Sequence, residues 1–326
     1  GRADVVVLNS GGANACTGPE GFLDTHVTAE RTGAALGVSA GDVVVCSTGL
    51  IGVRLPMDKL LPGVDSAVAA LDAAGGESAA AAIMTTDTVP KTAVAEGDGW
   101  VVGGMAKGAG MLAPGLATML CVLTTDAVVT AEDADAALRA ATGRTFDRVD
   151  SDGCMSTNDS VVLLASGASG VRADKDALVA ALTEVCASLA RQLVADAEGA
   201  SHDIAVHVVG ASDEAAAVAV ARAVTRSNLF KAAVFGNDPN WGRVLSAVGT
   251  VPPEVAPYDA LALDVSINGV QVCRAGGVGE GRELVDLAPQ REVHVEIDLH
   301  AGDAEATVWT NDLTHDYVHE NSAYSS

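Results

Sequence analysis

The chain has 326 residues, 49% of them hydrophobic and only 3% aromatic, with 35 glycines. Its 19 basic and 43 acidic residues give a formal net charge of −24 at pH 7. That balance excludes nucleic acid as a partner, because phosphate binding needs clustered Lys and Arg, and it excludes an anionic membrane surface. The length allows one large domain or two ordinary ones with ample apolar surface to bury. A solvated acidic surface accounts for the charge excess, so a site for an anionic substrate must supply a local cation. The six cysteines, at 16, 46, 121, 154, 186 and 273, form no C-x-x-C pair. No secretory signal is legible, which makes a reduced, cytoplasmic setting the expectation.

In chain order, Ala3 to Asn9 reads as a buried strand that runs into a polar Gly-rich loop, Ser10 to Gly21. A helix is predicted over Asp24 to Leu36, then a strand over Val43 to Ser47 ending at Thr48-Gly49. Asp58 to Ala74 and Ser78 to Met84 read as helices around a Gly-Gly break. Thr92 to Ala95 and Trp100 to Gly104 read as a hairpin across Gly97-Asp98-Gly99. A loop over 105–117 leads into a strand, Met119 to Thr124. Downstream, helices are predicted over Ala131 to Ala141, Lys175 to Ala197 and Asp213 to Arg226. Strands are predicted over Val161 to Ala165, Ile204 to Val209, Ala260 to Asn268, Val293 to Leu299 and Ala306 to Thr310. Strands and helices mixed throughout imply an α/β or α+β layered protein. Its expected division is a catalytic core over 1–200 and a smaller C-terminal α+β unit over 201–326.

Three segments have the residue types for chemistry. Gly37-Val38-Ser39-Ala40-Gly41 fits the G-x-S-x-G pattern of serine hydrolases, but that elbow needs a strand before the Ser and a helix after it. Here the order is reversed, so a helix-to-strand turn is the reading. His315 and His319, four apart, lack the Glu of H-E-x-x-H and a third ligand, so no metal site is expected. The third segment, Gly103 to Leu120, joins strand to strand through Gly, Ala and Pro with one Lys, Lys107. On spacing alone it is a tight buried crossover with Thr118 as a strand-start residue. Its chemical alternative is a strained loop in which the Thr118 hydroxyl attacks the Ala117 carbonyl. Hydrolysis of the resulting ester leaves an N-terminal Thr whose own α-amine, with a pKa of about 7.7–8.0, serves as base.

The string MAKGAGMLAPGLATMLCVLTTDA (105–127) resembles the ornithine acetyltransferase family, the bifunctional glutamate N-acetyltransferases of arginine biosynthesis. LNSGGANACTGPEGF (8–22), CSTGLIG (46–52), IMTTDT (83–88), DGCMSTND (152–159), FGNDPNWGR (235–243) and ENSAYSS (320–326) also look like family signatures, in family order over the whole chain.

The resemblance implies self-cleavage between Ala117 and Thr118, giving α and β fragments of 117 and 209 residues. Thr118 would then carry acetyl as an ester from N-acetyl-ornithine to glutamate, with acetyl-CoA open as a further donor and no metal or organic cofactor. It places the oxyanion hole at Thr48 and Gly49 and substrate contacts at Thr85 or Thr86, with Thr85 preferred. It places others at Lys107, Glu198, Asn321 and Ser326. Lys107 would pair with the substrate α-carboxylate, and Glu198 with the ornithine δ-ammonium. The two fragments are expected to assemble as α2β2. Family members carry a further N-terminal stretch of several tens of residues ahead of the first strand. Three readings compete: an N-terminal-nucleophile amidase or aminopeptidase in which water replaces glutamate as acceptor, an uncleaved amino-acid-binding protein that retains the Lys107 and Glu198 contacts, and a serine hydrolase that depends on Ser39 and not on Thr118.

Overall fold

The computed structural model describes residues 1–113 and 119–323. The chain divides into two compact units, one of residues 1–146 and 154–196, the other of 147–153 and 197–323 as far as the described residues reach.

The first unit opens with β1 (Val5–Asn9) and β2 (Val43–Ser47), a parallel pair. Between them runs α1 (Gly18–Leu36), six residues longer at its start than the apolar periodicity indicates. Pro19 explains the difference: in the first turn of a helix its missing N–H is no loss. After α1, Gly37 takes the left-handed conformation and Ser39 Oγ accepts from the Gly41 N–H. The G-x-S-x-G string is therefore a helix cap leading into a strand. Helices α2 (Met57–Ala69) and α3 (Gly76–Ala82) follow.

A four-stranded sheet comes next, in the order β3-β4-β5-β6. Its strands are β3 (Lys91–Glu96), β4 (Val101–Lys107), β5 (Leu120–Thr125) and β6 (Ser160–Ala165). The pairings β3–β4 and β4–β5 are antiparallel and β5–β6 is parallel. The hairpin forms as its turn signal indicates. β4 nevertheless continues through Met105, Ala106 and Lys107, residues that the Gly-rich composition assigns to a loop.

Helices α4 (Ala131–Thr142) and α5 (Lys175–Ala195) cover this sheet. α5 is long and apolar enough to cross a bilayer by length and composition alone. Its Leu178, Leu182, Leu189 and Leu193 are fully buried, and the helix packs on β3, β4 and α4. Close approach needs Gly104, where a Cβ would lie 2.6 Å from Leu123 Cδ2 and 3.0 Å from Val185 Cγ1.

The second unit is built on a six-stranded sheet in the order β10-β9-β8-β11-β7-β12. In chain order the strands are β7 (Asp203–Ala211), β8 (Asp264–Ile267), β9 (Val270–Arg274), β10 (Gly277–Val278), β11 (Glu292–Asp298) and β12 (Ala304–Asn311). Along β7, Ile204, Val206 and Val208 are fully buried and the intervening residues are half-buried, the period-two signature of a sheet with one covered face. The covering helices are α6 (Glu214–Thr225), α7 (Asn228–Phe235) and α8 (Trp241–Val248). Each is capped by a side chain of the preceding residue, Asp213, Ser227 or Asn240. Helix α9 (His315–Ala323) closes the described chain.

Substituting Gly104 by Val forces a branched side chain between β4 and α5. The expected cost is about 1–3 kcal/mol of overpacking, read as a lower midpoint in thermal or denaturant unfolding.

Candidate active site

The site in the first unit is built at the ends of β2 and β4 and on the segment that follows α3. At the end of β2, Thr48 is fully buried and its N–H bonds the Asn9 carbonyl at 3.0 Å. Asn9 also accepts from the Ser47 hydroxyl at 2.7 Å, which locks β1 to β2. Gly49 has φ +126°, and a Cβ there would lie 2.4 Å from the Gly11 carbonyl carbon. Only glycine fits so close an approach. The Gly49 N–H has no hydrogen-bond partner among the described residues.

Lys107 ends β4 and is 1% exposed. Its Nζ donates to Thr85 Oγ1 at 2.7 Å and to Thr48 Oγ1 at 3.4 Å. Receiving a proton from Lys107 leaves the Thr48 hydroxyl free to donate its own. Of the threonine pair, Thr85 meets Lys107, while Thr86 is half-buried.

What holds Lys107 is a charge network that sequence reasoning missed. Asp87 is buried between two lysines. Its Oδ1 accepts from Lys91 Nζ at 2.7 Å and from the Gly108 N–H at 2.6 Å. Its Oδ2 accepts from the Thr85 N–H at 3.1 Å and lies 3.7 Å from Lys107 Nζ. Lys91, fully buried, is also 2.5 Å from Asp196 Oδ2, and Asp196 in turn accepts from the Thr88 N–H at 3.0 Å and from the Thr88 hydroxyl.

Burial pushes the Asp87 carboxyl up, but the Lys107 charge, the Gly108 N–H and Lys91 outweigh it and leave the group below its ordinary value. Burial lowers the Lys107 pKa, with Asp87 opposing. The signal available in sequence was Asp87 itself, inside IMTTDT; nothing in the spacing tied it to lysines four and twenty positions on.

In the second unit Asn321 Nδ2, on α9, donates to Glu198 Oε2 at 3.0 Å and to the Tyr317 carbonyl. A tight passage aligns the pair: a Cβ on Gly199, at φ +61°, would sit 2.2 Å from the Tyr317 N. The Glu320 carboxyl is pushed up by burial and by neighbouring Glu198 and Asp316. His315 packs its ring edge against Phe235 at 5.5 Å. Ala117, Thr118 and Ser326 lie outside the described residues.

A buried ammonium bonded to two threonine hydroxyls, carried on an α/β frame, is an arrangement that suits acyl transfer on a carboxylate-bearing substrate. Comparison with known proteins narrows the class. The ArgJ family model matches residues 1–326. The arginine biosynthesis bifunctional protein ArgJ of Streptomyces coelicolor is 65% identical over 326 residues, covering 100% of this chain and 84% of that protein. The protein of the same name from Bifidobacterium longum is 58% identical with the same coverage. The crystal structure of arginine biosynthesis bifunctional protein ArgJ from Bacillus halodurans superposes with a TM-score of 0.58 at 33% identity, covering 62% of this chain and 97% of that one. This chain belongs to the ArgJ family.

Asp87→Asn removes the carboxylate between two buried lysines, and breaking such a pair costs about 3–5 kcal/mol. Because the folded carboxyl titrates below its ordinary value, its contribution is present above that value and lost as pH falls through the lowered one. The stability difference between wild type and variant, measured by denaturant unfolding, therefore shrinks on acidification below about pH 4.

Proposed function

We propose that this chain is a self-processed acetyltransferase of arginine biosynthesis, moving acetyl from N-acetyl-ornithine to glutamate. Acetyl transfer in arginine biosynthesis is the activity of its family. The observation that carries the finer reading is the Thr48–Lys107–Thr85 cluster, which sets oxyanion donors beside a substrate cation.

In the precursor, the Thr118 hydroxyl attacks the Ala117 carbonyl, an O–C bond forms and the C–N bond breaks. Water then hydrolyses the ester, leaving Ala117 as a C-terminus and Thr118 with a free α-amine. In turnover that amine takes the proton from the Thr118 hydroxyl, which attacks the acetyl carbonyl. The developing oxyanion receives the Thr48 hydroxyl and the Gly49 N–H. Collapse expels the ornithine α-amine, which takes the proton. Glutamate's amine then attacks the acetyl ester and regenerates the Thr118 hydroxyl.

Lys107 takes the α-carboxylate common to both substrates, with Thr85 beside it. The family resemblance also implies substrate contacts at Glu198 and Asn321, where the Glu198 carboxylate, held by the Asn321 amide, suits a δ-ammonium. Ser326 and the second threonine, Thr86, complete the substrate contacts that the family resemblance implies. The chemistry needs no metal or organic cofactor. Acetyl-CoA as a further donor, α2β2 assembly of the fragments and a cytoplasmic setting belong to the same proposal.

Purified wild-type protein is expected to run as two chains, the second starting Thr-Met-Leu-Cys, and Thr118→Ala as one uncut chain, by intact mass and N-terminal sequencing. An uncut wild type, or a cut mutant, removes the nucleophile assignment. Release of ornithine is expected to depend on glutamate; equal rates without any acceptor would establish the amidase reading instead. Lys107→Met is expected to raise KM for both substrates about ten- to a hundredfold, the worth of a charge-assisted hydrogen bond, in steady-state assays.

A further inference from the structure

Thr48 and Met119 lie at the ends of strands in different sheets: Thr48 follows β2 of the two-stranded sheet and Met119 precedes β5 of the four-stranded one. No shared ladder therefore sets the spacing between the oxyanion donors and the position after the cleavage point. Two consecutive side chains bridge the gap. Asn158 Nδ2 donates to the carbonyl of Ser47, the residue before Thr48, at 3.1 Å, and to the carbonyl of Ala13 at 2.6 Å. Asp159 Oδ1 accepts the N–H of Met119, the residue after Thr118, at 2.8 Å. The Ser160 N–H then returns to the Met119 carbonyl at 3.1 Å, so both polar groups of Met119 are held by residues 159 and 160.

Asp159 is an expensive group for a purely architectural task. Its Oδ2 is buried with no hydrogen-bond partner among the described residues. Burial raises its carboxyl to about 7 against the opposing Met119 N–H, the Lys107 charge and Ser156. A neutral acceptor at that position would make the same single hydrogen bond without the desolvation of a carboxylate.

We propose that Asn158 and Asp159 are a positioning clamp that ties the Thr48–Gly49 segment to Met119, the residue that follows the proposed nucleophile in sequence, by gripping the Ser47 carbonyl and the Met119 N–H. The inference rests on the reading of Thr118 as nucleophile given above. The clamp acts through backbone, so it governs the chemical steps; substrate affinity is supplied by Lys107, whose charge Asp87 supports first and Asp159 to a lesser degree, and Asn158→Ala reads the clamp free of that charge.

The test uses the full chain, with Asp159→Ala, Asp159→Asn and Asn158→Ala. Three quantities are read: the rate at which the fragment starting at Thr118 appears, kcat and KM per mole of that fragment, and the unfolding midpoint. A misplacement of about 1 Å costs on the order of a hundredfold in rate. Asp159→Ala and Asn158→Ala are therefore expected to slow self-cleavage and lower kcat by about that factor with KM for both substrates little changed. Asp159→Asn keeps an acceptor for the Met119 N–H and is expected to recover most of the loss.

The clamp is overturned if Asp159→Ala processes and transfers at the wild-type rate. It is equally overturned if Asp159→Asn is as slow as Asp159→Ala, because the charge or proton would then be what matters. A parallel change in KM and kcat with a lower unfolding midpoint would mark a structural role only. If Asp159→Ala does not fold, Asn158→Ala decides by the same split of kcat against KM. An uncut, inactive wild type would sink the parent reading instead, and is seen before any variant is compared.

Discussion

Two lysines and two aspartates buried together in the first unit are the constraint around which the site is arranged. Asp87 bonds Lys91, faces Lys107 and accepts two backbone N–H groups, those of Gly108 and Thr85. One carboxylate thereby fixes the end of β4, the turn after it and the segment that carries Thr85. Removing such a group from water costs several kcal/mol, offset only when nearly all its lone pairs are used. That condition is met by three hydrogen-bond donors around Asp87 and the Lys107 charge at 3.7 Å, and it leaves the Lys107 ammonium bonded to Thr85 and Thr48.

The acidic surface gives this arrangement its meaning. A chain with net charge −24 repels small anions at long range, and screening at physiological salt confines that field to roughly 8 Å. Capture of an amino-acid carboxylate then depends on a cation already desolvated and oriented at short range. Burial lowers the Lys107 pKa while Asp87 opposes the drop. On the proposed reading, the Thr48 hydroxyl accepts a hydrogen bond from Lys107 and keeps its own proton for a developing oxyanion.

The broad architecture was legible in the sequence wherever periodicity was long or a turn was strongly marked. The β3–β4 hairpin, β7, α5 and α6 follow from alternation, from helical repeat and from the Gly-Asp-Gly turn. Shorter elements escaped. Helices α7 and α8 have eight residues each and lie among Asn, Pro and Gly, where the apolar stripe is too brief to register. The β8–β9 hairpin turns at Asn268-Gly269, both at positive φ, a pairing that marks such turns and was passed over.

At the site, residue identities came from whole-family motifs, whereas geometry came only from the fold. Lys107 read as a loop lysine because the predicted strand stopped at Gly104, yet the strand runs on to Lys107, and Gly104 is the spot where Leu123 and α5 close on it. Asp87, Lys91, Asn158 and Asp159 were invisible as functional residues. Their partners are a charge twenty positions away, a residue beyond a hundred, or a backbone group of another sheet, and no local pattern encodes such pairings.

The proposed chemistry depends on Thr118 as the group that carries acetyl between two amino acids. Its most direct measurement is the mass of the fragment beginning at Thr118 after incubation with N-acetyl-ornithine in the absence of glutamate. The expected result is a gain of one acetyl group, mapped to the N-terminal threonine and discharged when glutamate is added. A fragment of unchanged mass under conditions where ornithine is released, or acetyl found on a different residue, would contradict it.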